Sequence, residues 1–324
     1  MKLPEELQFI ENARMPQKAT TTRLDGKVCI ITGATSGVGY QTAKRIAQAG
    51  AHLVLVNRNA DKAAALKAEL TALSNAKVDL VHADFSNLDE VQSAASQILH
   101  HFPAIHILIN NAGMHMTTRK LTRDGIETAF AVNHLASFLF TRLLLDRMLT
   151  SAPARIIQVN SEGHRFNGLK LDDLNWDKRR YKGLQGYGAS KTAQLMTVWE
   201  LADQLKDSGV TINAVHPGEV ATNIGMNNGF LYRMYQKYLL AHILKDPKIS
   251  GEALYYFAAA PELSSVSGKF FNLTIEEKPA AHALDRAMGK RVWAISEELT
   301  GLHHKMLENA SLSPAENTGL TTAS

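Results

Sequence analysis

Short apolar segments alternate along this chain with longer segments of helical periodicity, and this alternation constrains the fold more than any other feature. Seven of the apolar segments have the length and β-branched content of strands. They are Lys27 to Thr32, Ala51 to Asn57, Lys77 to Ala83, Ile105 to Asn110, Ala154 to Ser161, Val210 to His216 and Lys269 to Leu273. Such alternation predicts one α/β domain, with a doubly wound parallel sheet of about seven strands and helices on both faces.

A glycine-rich turn follows the first predicted strand. The run Thr32-Gly33-Ala34-Thr35-Ser36-Gly37-Val38-Gly39 leads directly into a segment with helical periodicity. Glycines let the backbone turn tightly and approach a pyrophosphate, whose charge is stabilised by free N–H groups and by the dipole at a helix N-terminus. Strand, turn and helix together predict a nucleotide site of the Rossmann type.

Polar residues stand just beyond the carboxyl ends of six predicted strands. They are Thr32 with Gly33, Asn57 with Arg58, Asp84, Asn110, Ser161 and Pro217. Each residue alone is compatible with an ordinary turn, because Asp, Asn, Gly and Pro are turn formers. In open α/β sheets, ligands bind outside the carboxyl edge of the strands. The six strand ends together therefore predict one ligand crevice.

Tyr187-Gly188-Ala189-Ser190-Lys191 places a phenol and an ammonium four residues apart, on one face of a helix. A phenol has a reference pKa of about 10 and is too weak an acid near neutral pH unless a nearby cation favours its ionised form. Lys191 would supply that cation. The spacing alone is common on exposed helices, but beside a predicted nucleotide site it indicates a proton-donating pair.

Composition narrows the function classes. The net charge is +4 over 324 residues, and the basic residues are interspersed with acidic ones, which argues against a nucleic-acid or membrane partner. The single cysteine, Cys29, lies inside the first predicted strand, so neither a disulfide framework nor a cysteine-based metal site is available. We expect no metal site and a reducing, cytoplasmic location.

Three regions differ in pattern: a polar N-terminal extension (1–24), the α/β domain (25–302) and a Ser, Thr and Asn-rich tail (303–324) that we expect to be mobile. No secretory segment is recognisable in the first 23 residues, and Arg142 and Asp146 interrupt the most apolar helix. We therefore expect no transmembrane segment.

An apolar segment at 218–248 follows the sixth strand and is rich in Met, Phe, Tyr and Leu. Such side chains at helical spacing are more often core than ligand-contacting. The position of the segment, directly after a strand end at the crevice, nevertheless favours a lid over a lipophilic substrate.

From about Asp25 to Leu302 the chain resembles the short-chain dehydrogenase/reductase superfamily. The resemblance is carried by the glycine loop, Asn110-Asn111-Ala112-Gly113, Pro217-Gly218, and the set Asn133, Ser161, Tyr187 and Lys191. Within the superfamily, the chain is most similar to the branch of retinol dehydrogenases and WW-domain oxidoreductases, through Asn133 to Phe138, Leu171 to Trp176 and Arg291 to Gly301. It departs from that branch in Asn160 and in Thr192-Ala193-Gln194, and we expect it to lack the N-terminal membrane anchor of that branch.

The resemblance implies a role for each member of the set. Tyr187 would be the general acid in reduction and the base in oxidation, and Ser161 would hydrogen-bond the substrate oxygen. Lys191 would hold the nicotinamide ribose, and Asn133 would support a water relay to the lysine. A helical asparagine more ordinarily faces solvent or satisfies a backbone group.

The expected cofactor is NADP(H) rather than NAD(H). An acidic residue after the second strand would favour NAD, but this chain has Asn57-Arg58, and a guanidinium pairs well with a 2′-phosphate. Alternatively, Arg58 only begins a solvated helix. The full set of expected cofactor-binding residues is Gly33, Thr35, Ser36, Gly37, Val38, Gly39, Asn57, Arg58, Asp84, Phe85, Asn110, Ala112, Gly113, Tyr187, Lys191, Pro217, Gly218, Val220 and Thr222.

The sequence thus predicts an NADP(H)-dependent oxidoreductase that interconverts a lipophilic aldehyde or ketone with its alcohol. The alternatives are an epimerase or dehydratase that restores its cofactor in each cycle, and a non-catalytic nucleotide-binding redox sensor. A homodimer is possible, because the stripe Leu195, Val198, Trp199 and Ala202 lies on a helix that resembles the one that often builds family dimers. The same stripe could equally face the chain's own sheet.

Overall fold

The computed structural model describes residues 12, 15–218 and 246–302. Its strands form one sheet in the order β3-β2-β1-β4-β5-β6-β7-β8. They are β1 Val28–Thr32, β2 His52–Asn57, β3 Val78–His82, β4 Ile107–Asn110, β5 Ala154–Val159, β6 Val210–His216, β7 Phe270–Asn272 and β8 Ile275–Glu276. Strands β1 to β7 pair in parallel, and β8 pairs antiparallel to β7. The α/β prediction is confirmed, but the count of about seven strands becomes eight, because a two-residue strand is too short to show alternation.

Helices cover both faces of the sheet. They are α1 Gly37–Gln48, α2 Ala60–Ser74, α3 Leu88–His101, α4 Thr128–Thr150, α5 Gly183–Gln204, α6 Lys248–Ala259 and α7 Arg286–Leu299. Two cores result: α1, α2 and α6 bury apolar side chains on one face, and α3, α4, α5 and α7 on the other. Because both faces are covered, the strands read as nearly continuous apolar runs.

The order of the strands reverses direction beside β1. From β1 the chain proceeds to β2 and β3 on one side, and then crosses to β4 and β5 on the other. The connections on the two sides of β1 therefore diverge and leave a crevice at the carboxyl edge of the sheet. This crevice is where the predicted strand-end residues meet.

Helix α4 contains a π-helical stretch, Ala131–Leu135. The helix is long and apolar enough to cross a membrane by length and composition, but 78% of its most apolar window is buried inside the fold. The charged residues Arg142 and Asp146 both lie within this helix, and Arg142 forms an ion pair with Glu297 of α7 at 3.4 Å.

Helix α7 packs against α5. The indole Nε1 of Trp199 donates to the Ala283 carbonyl at 2.9 Å, and Leu195 and Val198 are buried in the core on the same face. Three residues of the apolar stripe, Leu195, Val198 and Trp199, are thus buried within the chain, whereas Ala202 is half-buried. The three buried residues supply no argument for a dimer. The homodimer stays a prediction.

Several predictions fall outside the described residues. They concern Val220, Thr222, residues 219–245 of the predicted lid, residues 303–324 of the tail, and all but residues 12 and 15–24 of the N-terminal extension.

Candidate active site

The crevice at the carboxyl edge of the sheet forms a cleft of about 720 Å³. A larger cavity, of about 1010 Å³, lies at the opposite edge near the start of β6, but it contains none of the predicted site residues. The predicted residues that line the smaller cleft are Gly33, Thr35, Ser36, Gly37, Val38, Gly39, Asn57, Arg58, Asp84, Phe85, Ala112, Gly113, Ser161, Tyr187, Lys191, Pro217 and Gly218. We therefore place the chemistry in the smaller cleft.

The glycine loop has the backbone that the sequence predicts. Gly33 and Gly37 have φ of +68° and +55°, a region that favours glycine, and a Cβ on Gly39 would lie 2.4 Å from Asn111 Nδ2. Ser36 is the N-cap of α1, yet its side chain makes no cap hydrogen bond, and the first turn of α1 contains no acidic residue. The first N–H groups of α1 are therefore left for an anion, which fits a nucleotide pyrophosphate.

Two asparagines hold the loop in place. Asn57 Oδ1 accepts from the Ala34 N–H at 2.7 Å, while Asn111 Nδ2 donates to the carbonyls of Thr32 and Gly33, each at 2.9 Å. Asn57 Nδ2 is buried and has no partner among the described residues, so one donor remains at the cleft wall. The sequence prediction included Asn57 but missed Asn111, although the Asn110-Asn111 pair was its signal.

One end of the cleft lies between the carboxyl ends of β2 and β3, and we call it the adenosine end because the sequence predicts that the adenosine binds there. At this end Arg58 faces Asp84 at 3.6 Å, and the Arg58 side chain is 59% exposed. Lys62 lines the same end and was not predicted, although it stands one helical turn beyond Arg58. Asn59 caps α2 by accepting from the Lys62 N–H, which fixes Lys62 in the first turn. Two cations therefore border this end.

Two predicted residues in the described part of the chain, Asn110 and Asn133, do not line the cleft, and the side chain of Asn110 points away from it. Its Nδ2 donates to Thr141 Oγ1 of α4 at 2.7 Å, both groups are buried, and Asn110 is not among the residues that line the cleft. The side chain therefore joins β4 to α4. Because strand residues alternate between faces, the residue type alone did not reveal this direction.

The predicted catalytic residues converge around two glycines. A Cβ on Gly163 would lie 2.5 Å from Tyr187 Cε1 and 3.3 Å from Ser161 Oγ, so serine and tyrosine face the same point. A Cβ on Gly113 would lie 3.2 Å from Asn133 Oδ1 and 3.8 Å from Lys191 Nζ. Bulkier residues at either glycine would separate these groups.

Lys191 is buried, with 3% of its surface exposed, and lies beside the phenol ring of Tyr187. Its Nζ is 5.7 Å from the centroid of the Tyr187 ring and donates to Val159 O and Gln194 Oε1, each at 3.0 Å. Burial lowers the pKa of Lys191 to about 7, because both hydrogen-bond partners are neutral and the charged form is desolvated.

Asn133 lies in the π-helical stretch of α4, and its side chain is fully hydrogen-bonded. Oδ1 accepts from the Met114 N–H at 2.7 Å, and Nδ2 donates to Met114 O and to Ser190 Oγ, each at 2.9 Å. The side chain thus ties the loop after β4 to α5, the structural alternative raised by the sequence. Its backbone carbonyl accepts from Gln194 Nε2.

His115 forms a wall behind the tyrosine that the sequence prediction missed. Its ring meets the Tyr187 ring edge to face, with centroids 5.7 Å apart. Burial lowers the pKa of His115, which favours the neutral ring near pH 7. No cluster of three potential metal ligands occurs within residues 15–218 and 246–302.

Comparison with known proteins agrees with this geometry. The family model described as short chain dehydrogenase matches residues 27–229. The chain is 37% identical to retinol dehydrogenase 13 of Homo sapiens over 299 residues, which cover 91% of this chain and 89% of that protein. It is also 37% identical to the WW domain-containing oxidoreductase of Pongo abelii over 287 residues, which cover 85% of this chain and 68% of that protein.

Among solved structures, an uncharacterized protein from Mycobacterium Paratuberculosis superposes with a TM-score of 0.68 at 27% identity, covering 86% of this chain and 95% of that one. The family resemblance inferred from the sequence is thereby confirmed. The chain belongs to the short-chain dehydrogenase family, in the branch that contains the retinol dehydrogenases and the WW domain-containing oxidoreductase.

Proposed function

We propose that this protein is an NADP(H)-dependent oxidoreductase that interconverts a lipophilic aldehyde or ketone with its alcohol. The observation that carries the proposal is the buried Lys191 ammonium held beside the ring of Tyr187, which with Ser161 faces Gly163 at the cleft. A phenol, a hydroxyl and a cation in one cleft are the groups needed to manage a proton and a developing negative charge at a carbonyl oxygen.

The family's nicotinamide cofactor fits the cleft. When bound, it supplies or accepts the hydride, which is chemistry no protein side chain provides. The free N–H groups at the start of α1 would hold the pyrophosphate, since Ser36 leaves them uncapped. Lys191 would contact the nicotinamide ribose through the N–H that neither Val159 nor Gln194 accepts.

The chain's own residues then manage the proton. In reduction, Tyr187 donates its phenolic proton to the substrate oxygen, and the neighbouring Lys191 stabilises the phenolate that remains. Ser161 Oγ hydrogen-bonds the same oxygen; its lone pair already accepts from the Gly163 N–H at 3.0 Å, so its own proton is left to donate. In oxidation, the phenolate takes the proton back.

The preference for NADP(H) rests on Arg58 and Lys62. Both line the adenosine end of the cleft, and two cations there favour a ligand with a 2′-phosphate over one with a free hydroxyl. Asp84 neutralises Arg58 only in part, since the pair is 3.6 Å apart and open to solvent.

The lipophilic substrate class rests on exposed apolar side chains near the tyrosine. Phe166 and Leu184 are 49% and 55% exposed, and a Cβ on Gly188, next to Tyr187, would lie 3.0 Å from Phe166 Cβ. Relatives in the same branch are named for retinol, an apolar alcohol. Activity restricted to small polar sugars in an NADPH-coupled panel would refute this substrate class.

Substitution of the tyrosine tests the reaction. Tyr187→Phe should reduce turnover of any accepted carbonyl by about 10²–10⁴-fold while NADPH binding persists, because only the proton donor is removed. Tyr256→Phe, which removes a phenolic hydroxyl from α6 in the opposite core, is the matched control and should keep its activity. Undiminished turnover in Tyr187→Phe would refute the proposal, and carbonyl turnover without net NADPH consumption would favour an epimerase or dehydratase.

A further inference from the structure

The side chain of Gln194 links the lysine to the π-helical stretch of α4. It is 1% exposed, and its Oε1 accepts from Lys191 Nζ at 3.0 Å and from Asn160 Nδ2 at 3.1 Å. Its Nε2 donates to the backbone carbonyl of Asn133 and, at 3.5 Å, to Ser137 Oγ. All the polar atoms of this buried amide are therefore engaged.

The chemistry of the neighbours fixes the orientation of this amide. Nε2 faces the Asn133 carbonyl, which can only accept, so the reversed amide would set two acceptors against each other. Asn160 is oriented in the same way: its Oδ1 accepts from the Ser161 N–H at 2.8 Å and its Nδ2 donates to Lys191 O at 3.0 Å. The two amides thus form a continuous frame between the lysine and the serine.

The backbone carbonyl of Asn133 contacts the glutamine amide directly. It accepts from Gln194 Nε2, and Ser137 Oγ lies 2.9 Å from it and 3.0 Å from the His134 carbonyl oxygen, so the single Ser137 hydroxyl proton is shared between these two acceptors. The family resemblance implies a water relay between Asn133 and the lysine. In this chain a glutamine amide lies between these two groups.

We propose that Gln194 is a positioning residue that holds the Lys191 ammonium through Oε1, and that its amide replaces the relay water, so that Lys191 exchanges protons through the cleft. An amide in its stable form accepts at oxygen and donates at nitrogen but does not pass a proton between them. The proposal rests on the proposed function, because Lys191 is a catalytic residue only there. Residues Asn160 and Gln194 are two of the positions at which the sequence departs from its branch, which accords with their pairing here.

Gln194 is a hydrogen-bond partner of Lys191 whose charge can be changed by substitution, whereas Val159 O is a backbone carbonyl. Titratable groups on the elements packed around Lys191 are Tyr187 on α5, His134 on α4, Glu162 and His164 after β5, His115 after β4 and His216 at the end of β6. Burial lowers the pKa of His134 and of His164 to about 3, and burial raises the pKa of Glu162. The Lys191 ammonium donates directly to the side chain of Gln194.

The test measures the ionisation of Lys191 in the nucleotide-free protein. Lysine labelled with ¹³C at Cε would be followed by NMR through a pH titration, with the Lys191 signal identified by its loss in Lys191→Arg. Gln194→Met, which keeps the volume but accepts no hydrogen bond, should lower the Lys191 pKa. Gln194→Glu should raise it by about 1–3 units, because it places a carboxylate against the ammonium.

Gln158→Met is the matched control, because Gln158 is also a buried glutamine but lies in β5 and is not among the residues that line the cleft. It should leave the Lys191 pKa unchanged. If Gln194→Met does not fold, Gln194→Asn, which is one methylene too short to span both partners, should show the same downward shift. A Lys191 titration that matches the wild type in Gln194→Glu and in the folded neutral variant would overturn the proposal.

A second measurement tests whether the Gln194 amide replaces the relay water. Gln194→Ala opens space between Lys191 and the Asn133 carbonyl, so its Lys191 N–H protons should exchange with solvent faster than in the wild type. Equal exchange rates would contradict the replacement of the water. Neither the Lys191 titration nor the proton-exchange measurement depends on turnover. Undiminished activity in Tyr187→Phe would therefore refute the proposed function without changing the outcome of either measurement.

Discussion

The two ends of the cleft use positive charge in opposite ways. At the adenosine end, Arg58 is 59% exposed and faces a carboxylate 3.6 Å away. At the tyrosine end, Lys191 is 3% exposed and donates to two neutral groups, Val159 O and Gln194 Oε1. Solvent screens the first cation, whereas burial makes the second costly to charge and therefore responsive to its surroundings. The contrast supports the proposal that Arg58 selects a ligand while Lys191 takes part in the reaction.

The largest expected effect is a pH-dependent stability that depends on Lys191. Its pKa is lowered from 10.5 to about 7 in the folded chain, so between these values the unfolded chain binds more protons and folding becomes more favourable as pH rises. Relative to Lys191→Met, the wild type should gain a few kcal/mol of unfolding free energy between pH 7 and pH 10, on the order of 1.4 kcal/mol per pKa unit. Urea unfolding across this range measures the gain.

The control for this experiment is Lys67→Met, which removes an exposed lysine from α2. Its unfolding free energy should follow that of the wild type at every pH. A constant difference between the wild type and Lys191→Met from pH 7 to pH 10 would show that the buried lysine is not desolvated, and the contrast between the two ends would fail.

A smaller effect is expected at the adenosine end. Arg58→Gln should weaken NADPH binding by about tenfold and leave NADH binding nearly unchanged, because one exposed charge-assisted contact contributes on the order of 1.5 kcal/mol. Dissociation constants for both nucleotides, measured by fluorescence titration at two salt concentrations, check this. Lys67→Gln removes a positive charge from α2 at a position that does not line the cleft, and it should change neither constant. An equal loss for NADPH and NADH would contradict a 2′-phosphate contact.

The smallest effect is expected from Asp84. Asp84→Asn removes the carboxylate that faces Arg58 but keeps Oδ1, which accepts from Ser86 N–H at 2.9 Å and from Ser86 Oγ at 2.8 Å. The ratio of NADPH to NADH affinity should rise by about two- to fivefold, because an exposed ion pair contributes less than about 1 kcal/mol. Taking the ratio of the two affinities cancels the contribution of any contact that both nucleotides make. A fall in the ratio would show that the carboxylate supports Arg58 rather than competing with it.

Much of the fold and of the candidate site was predictable from the sequence. The seven long strand patterns, the glycine loop and the spacing from Tyr187 to Lys191 depend on local periodicity and backbone preference, which residue types express directly. The predicted residues that line the cleft follow from one topological rule, the position of carboxyl strand ends in an open sheet.

The parts that sequence reasoning missed depend on direction or on distant partners. Asn110 and Asn111 are adjacent and identical in type, yet the first contacts α4 and the second holds the glycine loop. Strand β8 escaped notice because two residues show no period. Lys62 was missed because it borders the cleft only once Asn59 begins the helix there.

The sequence by itself determined the α/β class, the carboxyl-edge crevice and the types of side chain that meet there, because strand and helix periods are local properties. Only the tertiary structure decided what each amide does. Gln194 reaches Asn133, 61 positions earlier in the chain, and joins it to Lys191. An amide can donate or accept with equal ease, so its role is set by the groups that packing brings against it, and packing is a property of the whole fold.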